Sequence, residues 1–178
     1  MGLHEYHLSS TWRIKGGIQE VCQILGNTSR WTQWWSTAFS EVTELQAGDR
    51  YGQGSVFKII SHGFLPYRLH WEVQMREVDY PGRVYFTVSG DFAGRGLWNL
   101  QQEGDEVLMV FDWKVRTEKA LLKRLGFLLK PLFTLNHRWA MRKGRQSLQG
   151  EVDRCSQTGT VLGRSNDLYT GPLQLVFA

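Results

Sequence analysis

The stretch N-H-R-W-A-M-R-K-G, residues Asn136 to Gly144, belongs to a long basic and apolar segment near the end of a chain of 178 residues. The segment runs from about Lys119 to Val152, and its large apolar residues recur at the i, i+3, i+4 and i+7 spacing of an amphipathic helix. Pro131 interrupts it and should kink or split the helix near Lys130, because proline cannot donate the helical hydrogen bond. The predicted apolar stripe consists of Leu121, Leu125, Leu128, Leu132, Leu135 and Trp139.

The region before this helix alternates apolar and polar residues with the period of two that is typical of half-buried strands. Two short helices are predicted after the first strand: the first covers residues 18–25, and the second carries Trp31, Trp34 and Trp35. Short turns separate several of the strands, so the sheet should be antiparallel and mostly hairpin-connected. About seven strands are predicted, at residues 6–14, 39–45, 55–61, 67–78, 84–88, 94–102 and 107–115.

One face of each long strand is apolar and the other is polar, so the sheet should have one face that needs a cover. The amphipathic C-terminal helix is the cover that the chain offers. The space between sheet and helix is where a small molecule would bind. We expect an apolar pocket there with a volume of roughly 300 Å³ or more.

Length and composition predict one soluble domain, since 42% of the residues are hydrophobic and 21% are charged. We expect this domain at residues 1–154, and a polar, loosely ordered tail at residues 155–178. No segment has the length and hydrophobicity of a membrane span, and residues 1–10 lack the apolar run of a secretory signal. Cys22 and Cys155 have no partner pattern, which indicates free thiols in a reducing cytoplasm.

The positive charge is concentrated near the C-terminal helix. Ten lysines or arginines and one acidic residue, Glu118, lie between Lys114 and Arg145. The part from Lys119 to Lys130 mixes basic and apolar residues, as do segments that rest transiently on anionic membranes. A solvated face of an ordinary packed helix explains the same pattern.

Several short strings, together with the order of the elements, resemble the START-like (SRPBCC) superfamily, and in particular its bacterial polyketide cyclase/dehydrase-type branch. The strings are W-T-Q-W-W (residues 31–35), G-Q-G (52–54), L-P-Y-R-L-H-W (65–71), G-D-F-A-G-R-G-L-W (90–98) and N-H-R-W-A-M (136–141). The resemblance covers about residues 5–152. It implies an α+β helix-grip fold, in which a curved antiparallel sheet of about seven strands wraps around a long C-terminal helix.

Fold and composition leave three hypotheses for function, because this superfamily includes carriers, enzymes and regulators on one scaffold. The first is binding or transport of a hydrophobic small molecule that is lipid-, polyketide- or isoprenoid-like. The second is a polyketide cyclase or dehydratase that uses a few polar cavity residues. The third is a partner-binding protein whose cavity is filled by its own aromatic side chains.

Candidate ligand-binding residues come from the apolar stripes and from the few polar groups near them. Asn136 falls near the helical stripe, and a buried amide must hydrogen bond either to the backbone or to a ligand. Asp91 and Arg95 are either a turn carboxylate and an ion-pair partner or groups that face a ligand. The full set is Trp35, Tyr67, Leu69, Trp71, Phe86, Asp91, Arg95, Trp98, Met109, Phe111, Trp113, Leu132, Asn136 and Trp139.

Other chemistry lacks support in the sequence. No G-x-G-x-x-G precedes a helix, so no nucleotide cofactor is expected. No nucleic-acid partner is predicted either. His62, His70 and His137 have no i, i+4 pairing, which argues against a metal site, and His137 should face a strand or solvent. No nucleophile elbow is present, so the catalytic residues, if any, are not predicted.

Overall fold

The computed structural model describes residues 5–64, 67–117 and 126–159, with the backbone alone for 126–130. The helical elements are α1 (Ile18–Gly26), a 3-10 turn (Thr28–Arg30), α2 (Trp31–Trp34) and α3 (Gly126–Thr158). The strands are β1 (Glu5–Lys15), β2 (Phe39–Gln46), β3 (Val56–Ser61), β4 (Leu69–Asp79), β5 (Arg83–Gly90), β6 (Phe92–Glu103) and β7 (Glu106–Thr117).

The seven strands form one antiparallel sheet in the order β1-β7-β6-β5-β4-β3-β2. Strands β2 to β7 follow one another as neighbours, and β1 pairs with β7 at the far side. The short turns between consecutive strands explain this order, because two-strand hairpins need little connecting chain. The predicted seven-stranded antiparallel sheet, the two short helices after β1 and the long C-terminal helix are confirmed.

The predicted alternation of faces is also correct. In β4, Leu69, Trp71, Val73 and Met75 are buried, and the residues between them are more exposed. These side chains and their counterparts on β5, β6 and β7 form the core. Helix α3 packs against β1 and α1, so it covers the apolar face of the sheet.

The phase of α3 differs from the prediction by about one residue. Leu132 is 37% exposed and Leu135 is 52% exposed, while Phe133 is 7% exposed. The residues that face the core continue from Phe133 through Met141, Gly144, Leu148, Val152 and Cys155. One residue is about 100° of helical rotation, so a shift of one position turns the predicted stripe toward solvent. Leu121 and Leu125 of that stripe lie outside the described residues, as does the side chain of Leu128.

Of the kink or split predicted near Lys130, the split was wrong, because α3 continues through Pro131. This proline lies only five residues after Gly126. Few helical hydrogen bonds precede it, so the loss of its N–H interrupts little of the helix. The helix also runs past Arg154 to Thr158 and buries Cys155, beyond the predicted start of the tail. None of the described helices combines the length and hydropathy needed to cross a membrane.

Candidate functional site

A pocket of about 140 Å³ lies between the apolar face of the sheet and α3. Aromatic rings from β4, β5, β6 and β7 form its floor, and side chains of α3 form its roof. Among the described residues, no Asp, Glu, Lys or Arg lines it. The polar side chains in its wall belong to Tyr6, Ser61, His62, Asn136 and His137.

The pocket has less than half of the volume that we predicted from the sequence. Its rings interdigitate: the centroids of Trp98 and Phe111 are 4.4 Å apart in a stacked pair, and those of Trp12 and Trp98 are 4.9 Å apart. The ring centroids of Trp31 on α2 and Phe39 on β2 are 4.8 Å apart. Large aromatic side chains therefore occupy part of the space that the alternating pattern assigned to a ligand.

His137 brings an imidazole into this apolar wall. Its ring stacks on Phe111 with centroids 6.3 Å apart, and its Nε2 lies 3.4 Å from Oγ of Ser10 on β1. Burial lowers the pKa of His137 to about 4, because the charged form loses its hydration. The imidazole is therefore neutral at pH 7, and each ring nitrogen can donate or accept a hydrogen bond according to the tautomer.

Two further polar side chains of the wall already have partners. Oγ of Ser61 accepts a hydrogen bond from Nε1–H of Trp71 at 2.8 Å. Nδ1 of His62 lies 2.9 Å from Oγ of Ser40. Both contacts join β3 or its following loop to neighbouring elements, so these groups orient the wall.

Asn136 connects α3 to the loop between β3 and β4. Its Oδ1 accepts a hydrogen bond from the backbone N–H of Phe64 at 3.0 Å. Gly63 packs directly against this amide, with no room for a Cβ atom. The amide oxygen therefore has the backbone partner that was one of the two roles considered for Asn136, and its side chain also lines the pocket.

We expect Asn136→Leu to lower the free energy of unfolding of the ligand-free protein by about 1–2 kcal/mol, because Phe64 N–H loses its acceptor. Urea unfolding followed by tryptophan fluorescence measures this. Gln146→Leu, at an exposed position of the same helix, is the control and should change stability by less than about 0.5 kcal/mol. If Asn136→Leu were as stable as the wild type, the hydrogen bond between Phe64 N–H and Asn136 would contribute nothing to stability.

No protein-family model and no curated protein matches the sequence. Solved structures do match its fold. The Zhui aromatase/cyclase from Streptomyces sp. R1128 superposes with a TM-score of 0.73 at 12% identity, covering 89% of this chain and 100% of that one. A START superfamily protein from Mycobacterium smegmatis gives a TM-score of 0.67 at 13% identity, covering 83% and 97%. This chain has the START-like fold.

Norcoclaurine synthase from Thalictrum flavum matches in the same way, with a TM-score of 0.60 at 11% identity over 85% of this chain and 96% of that one. These superpositions establish the START-like fold. Function is left to be argued from the site, since one fold hosts many activities. The helix-grip arrangement that the short sequence strings implied is thus confirmed.

Eight of the predicted ligand-binding residues line the pocket. They come together because the buried positions of neighbouring antiparallel strands share one face, and because Asn136 and Trp35 face the same space from the helices. The eight are Trp35, Leu69, Trp71, Phe86, Trp98, Phe111, Trp113 and Asn136.

Three polar or aromatic candidates lie elsewhere. Asp91 accepts a hydrogen bond from the backbone N–H of His70 at 2.9 Å, so it stabilises the β5–β6 turn. Arg95 is exposed on the outer face of β6, because residues at odd and even positions of a strand face opposite sides. Tyr67 is outside the pocket lining, with its ring centroid 5.9 Å from that of Phe133.

Three apolar candidates are also absent from the lining. Leu132 is exposed because α3 is rotated by about one residue from its predicted orientation. Trp139 packs its ring edge-on against that of Phe64, with the ring centroids 6.0 Å apart. Met109 is fully buried, but it lies opposite Trp12 on β1, where core side chains fill the space beyond the pocket.

The sequence reasoning missed several wall residues: Tyr6, Leu8, Phe92, Phe133 and His137. Tyr6 and Leu8 belong to the predicted apolar face of the first strand, so the alternation there was a usable signal. Phe133 and His137 would have been predicted to line the pocket if the orientation of α3 had been assigned correctly. His137 packs against strand residues, which was one of its two predicted environments.

Proposed function

We propose that this protein binds a hydrophobic small molecule, of a lipid-, polyketide- or isoprenoid-like class, in the pocket between the sheet and α3. The observation that carries the proposal is the pocket wall, which is built of aromatic and aliphatic side chains with a few polar groups. Ligand sites commonly have this composition, because apolar walls supply affinity and sparse polar groups supply orientation.

The volume of the pocket favours a compact ligand. Typical ligand pockets measure roughly 300–1,000 Å³, whereas this one measures about 140 Å³. An engineered apolar cavity of about 150 Å³ in another protein binds benzene. One or two rings therefore match the pocket as it stands, and a longer chain requires α3 or the β3–β4 loop to move.

Native mass spectrometry of the purified protein, with organic extraction, tests the proposal. We expect a hydrophobic molecule to co-purify and to be released unchanged. Ala140→Phe provides the matched control, because Ala140 lines the pocket and a ring at this position would fill it. Absence of any ligand from the wild type, or equal amounts in both proteins, would count against binding in this pocket.

A cyclase or dehydratase is the second candidate, and His137 is the observation that favours it. A neutral imidazole in an apolar pocket can hydrogen bond to an oxygen of a bound polyketone and orient it for reaction. Incubation with a short polyketone that can cyclise to an aromatic product distinguishes the carrier from the enzyme. A carrier returns the compound unchanged, whereas a dehydratase releases water. Turnover that disappears in His137→Gln would establish the enzyme.

We also propose transient contact with an anionic membrane through residues 119–130, whose side chains lie outside the described part. The support is the basic, apolar sequence, with exposed Leu132 and Leu135 following it on α3. Each basic residue near such a surface contributes on the order of 1 kcal/mol. We expect co-sedimentation with anionic vesicles that weakens as salt is added, and none with neutral vesicles. Binding indifferent to lipid charge would contradict this.

A cytoplasmic location is proposed from the thiols. Cys22 and Cys155 are both free and buried, and burial raises the pKa of Cys22 to about 12. Such thiols are inert and suit a reducing compartment. Cell fractionation checks this, and recovery outside the cytoplasmic fraction would contradict it.

A further inference from the structure

Two hydroxyl groups without hydrogen-bond partners occur where β1 begins and β7 ends, those of Tyr6 and Thr117, and a third belongs to Tyr67, just before β4. Among the described residues, none donates to or accepts from the hydroxyl oxygens of Tyr6, Tyr67 and Thr117, and all three oxygens are buried. Tyr6 is 4% exposed and Thr117 is fully buried. A buried hydroxyl without a partner is destabilising, so three in one region require an explanation.

These hydroxyls lie near one end of the pocket: Tyr6 lines it, and Tyr67 and Thr117 lie beyond its lining, next to residues that do line it. The ring centroids of Tyr6 and Tyr67 lie 5.2 Å and 5.9 Å from that of Phe133, which forms part of the roof. Tyr6 lines the pocket and pairs with Val115 across the β1–β7 ladder. Thr117 follows Val115 by two residues, so both face the same side of β7.

The electrostatics agree with this placement. Burial raises the pKa of Tyr67 to about 12, and the neighbouring Tyr6 contributes to the increase. Burial also raises the pKa of Tyr6. Both phenols therefore keep their protons at pH 7, so each can donate a hydrogen bond as well as accept one.

We propose that Tyr6, Tyr67 and Thr117 bind a neutral oxygen, either a phenol hydroxyl or a ketone, of a compact aromatic ligand whose rings occupy the rest of the pocket. This inference rests on the proposed ligand-binding function and adds the chemical class of the ligand. The aromatic walls fit flat rings, and a ligand oxygen would satisfy hydroxyls that have no partner in the protein.

The lining also indicates why this oxygen is neutral. No lysine or arginine among the described residues lines the pocket, so a carboxylate would lose its hydration without gaining a counter-charge. A ketone or phenol has a smaller desolvation penalty and accepts the same O–H donors.

Titration with naphthalene, 2-naphthol and 2-naphthoate, followed by tryptophan fluorescence, tests the inference. We expect the wild type to bind 2-naphthol about tenfold more tightly than naphthalene, and 2-naphthoate more weakly than 2-naphthol. In Tyr6→Phe and Tyr67→Phe the affinity for 2-naphthol should fall by about five- to tenfold, while that for naphthalene stays unchanged.

Tyr85→Phe is the matched control, because Tyr85 alternates with the buried residues of β5 and does not line the pocket. It should leave all three affinities unchanged. The melting temperatures of Tyr6→Phe and Tyr67→Phe should equal or exceed that of the wild type, because each change removes an unpartnered hydroxyl.

Each contrary result has a separate meaning. Equal binding of naphthalene and 2-naphthol that neither variant alters would overturn the hydroxyl site while leaving the apolar pocket as a binding site. Tightest binding of 2-naphthoate would overturn the assignment of a neutral oxygen. Failure of all three probes to bind would overturn this inference, and ligand extraction from the purified protein would then decide the proposed function independently.

Discussion

Gly144→Ala should lower the free energy of unfolding by about 2 kcal/mol, although alanine favours a helix over glycine by up to about 1 kcal/mol. A Cβ atom at this position would overlap the ring of Trp35 and would lie 2.9 Å from Cη2 of Trp12. Neither ring can easily retreat. Trp12 and Trp35 pack edge-on with centroids 5.5 Å apart, and Nε1–H of Trp35 donates to the carbonyl of Ala140 at 3.3 Å.

Gly150→Ala is the control, since it lies on the same helix and a Cβ atom there meets nothing within 4 Å. This variant should be more stable than the wild type by up to about 1 kcal/mol. Urea unfolding curves of the two variants therefore move in opposite directions. Stabilisation by both substitutions would mean that α3 packs less closely on Trp35 than the structure shows.

The protein should lose about 2.5 kcal/mol of stability between pH 7 and pH 4.5 because of His137 alone. The pKa of this histidine is about 4 in the folded state, below the ordinary value of 6.5 that it regains on unfolding. The unfolded chain therefore binds more protons across this interval. The stabilising effect of the neutral imidazole is complete above about pH 6.5 and is lost as the pH falls toward 4.

Urea unfolding of wild type and His137→Phe at several pH values measures this effect. The variant keeps a ring against Phe111 but cannot titrate, so its stability should change much less across the same interval. His70→Gln, at an exposed position on β4, is the control and should retain the dependence of the wild type. Parallel pH profiles for wild type and His137→Phe would contradict the burial of a neutral imidazole.

The sheet could be predicted from the sequence because a strand has only two faces. In β4, the alternation of Leu69, Trp71 and Val73 with polar residues assigns the buried face correctly, and the same holds for β5 to β7. If the opposite face of the strand were buried, a row of large apolar side chains would be exposed to water, so the pattern specifies which face is buried.

The helix was less predictable because its apolar residues do not form a single narrow stripe. Leu132 and Phe133 are adjacent and both apolar, so the sequence is compatible with two rotations of α3. The tightly packed position is set by Gly144, where the helix approaches Trp35 too closely for any side chain. A glycine inside a helix was therefore the missed indication of the packed face.

The polar residues were the hardest to place, because their roles depend on contacts distant in sequence. Asp91 and Arg95 were chosen for their charge, yet the first binds a backbone N–H and the second faces outward. The unpartnered hydroxyls of Tyr6 and Thr117 became visible only when β1 and β7 were paired. The size of the pocket depends on how the aromatic rings stack, and the spacing of apolar residues in the sequence does not predict this.

The pairing of β1 with β7 has a consequence for synthesis on the ribosome. Tyr6 leaves the exit tunnel before β2 to β6, whereas its partner Val115 emerges only after them. Those strands can pair as consecutive hairpins, whereas α3 is still inside the ribosome. A nascent chain at this stage presents a face of tryptophan and phenylalanine side chains to solvent. Translation of the last helix therefore ends the period in which the chain is most exposed to aggregation and to chaperones that bind apolar surface.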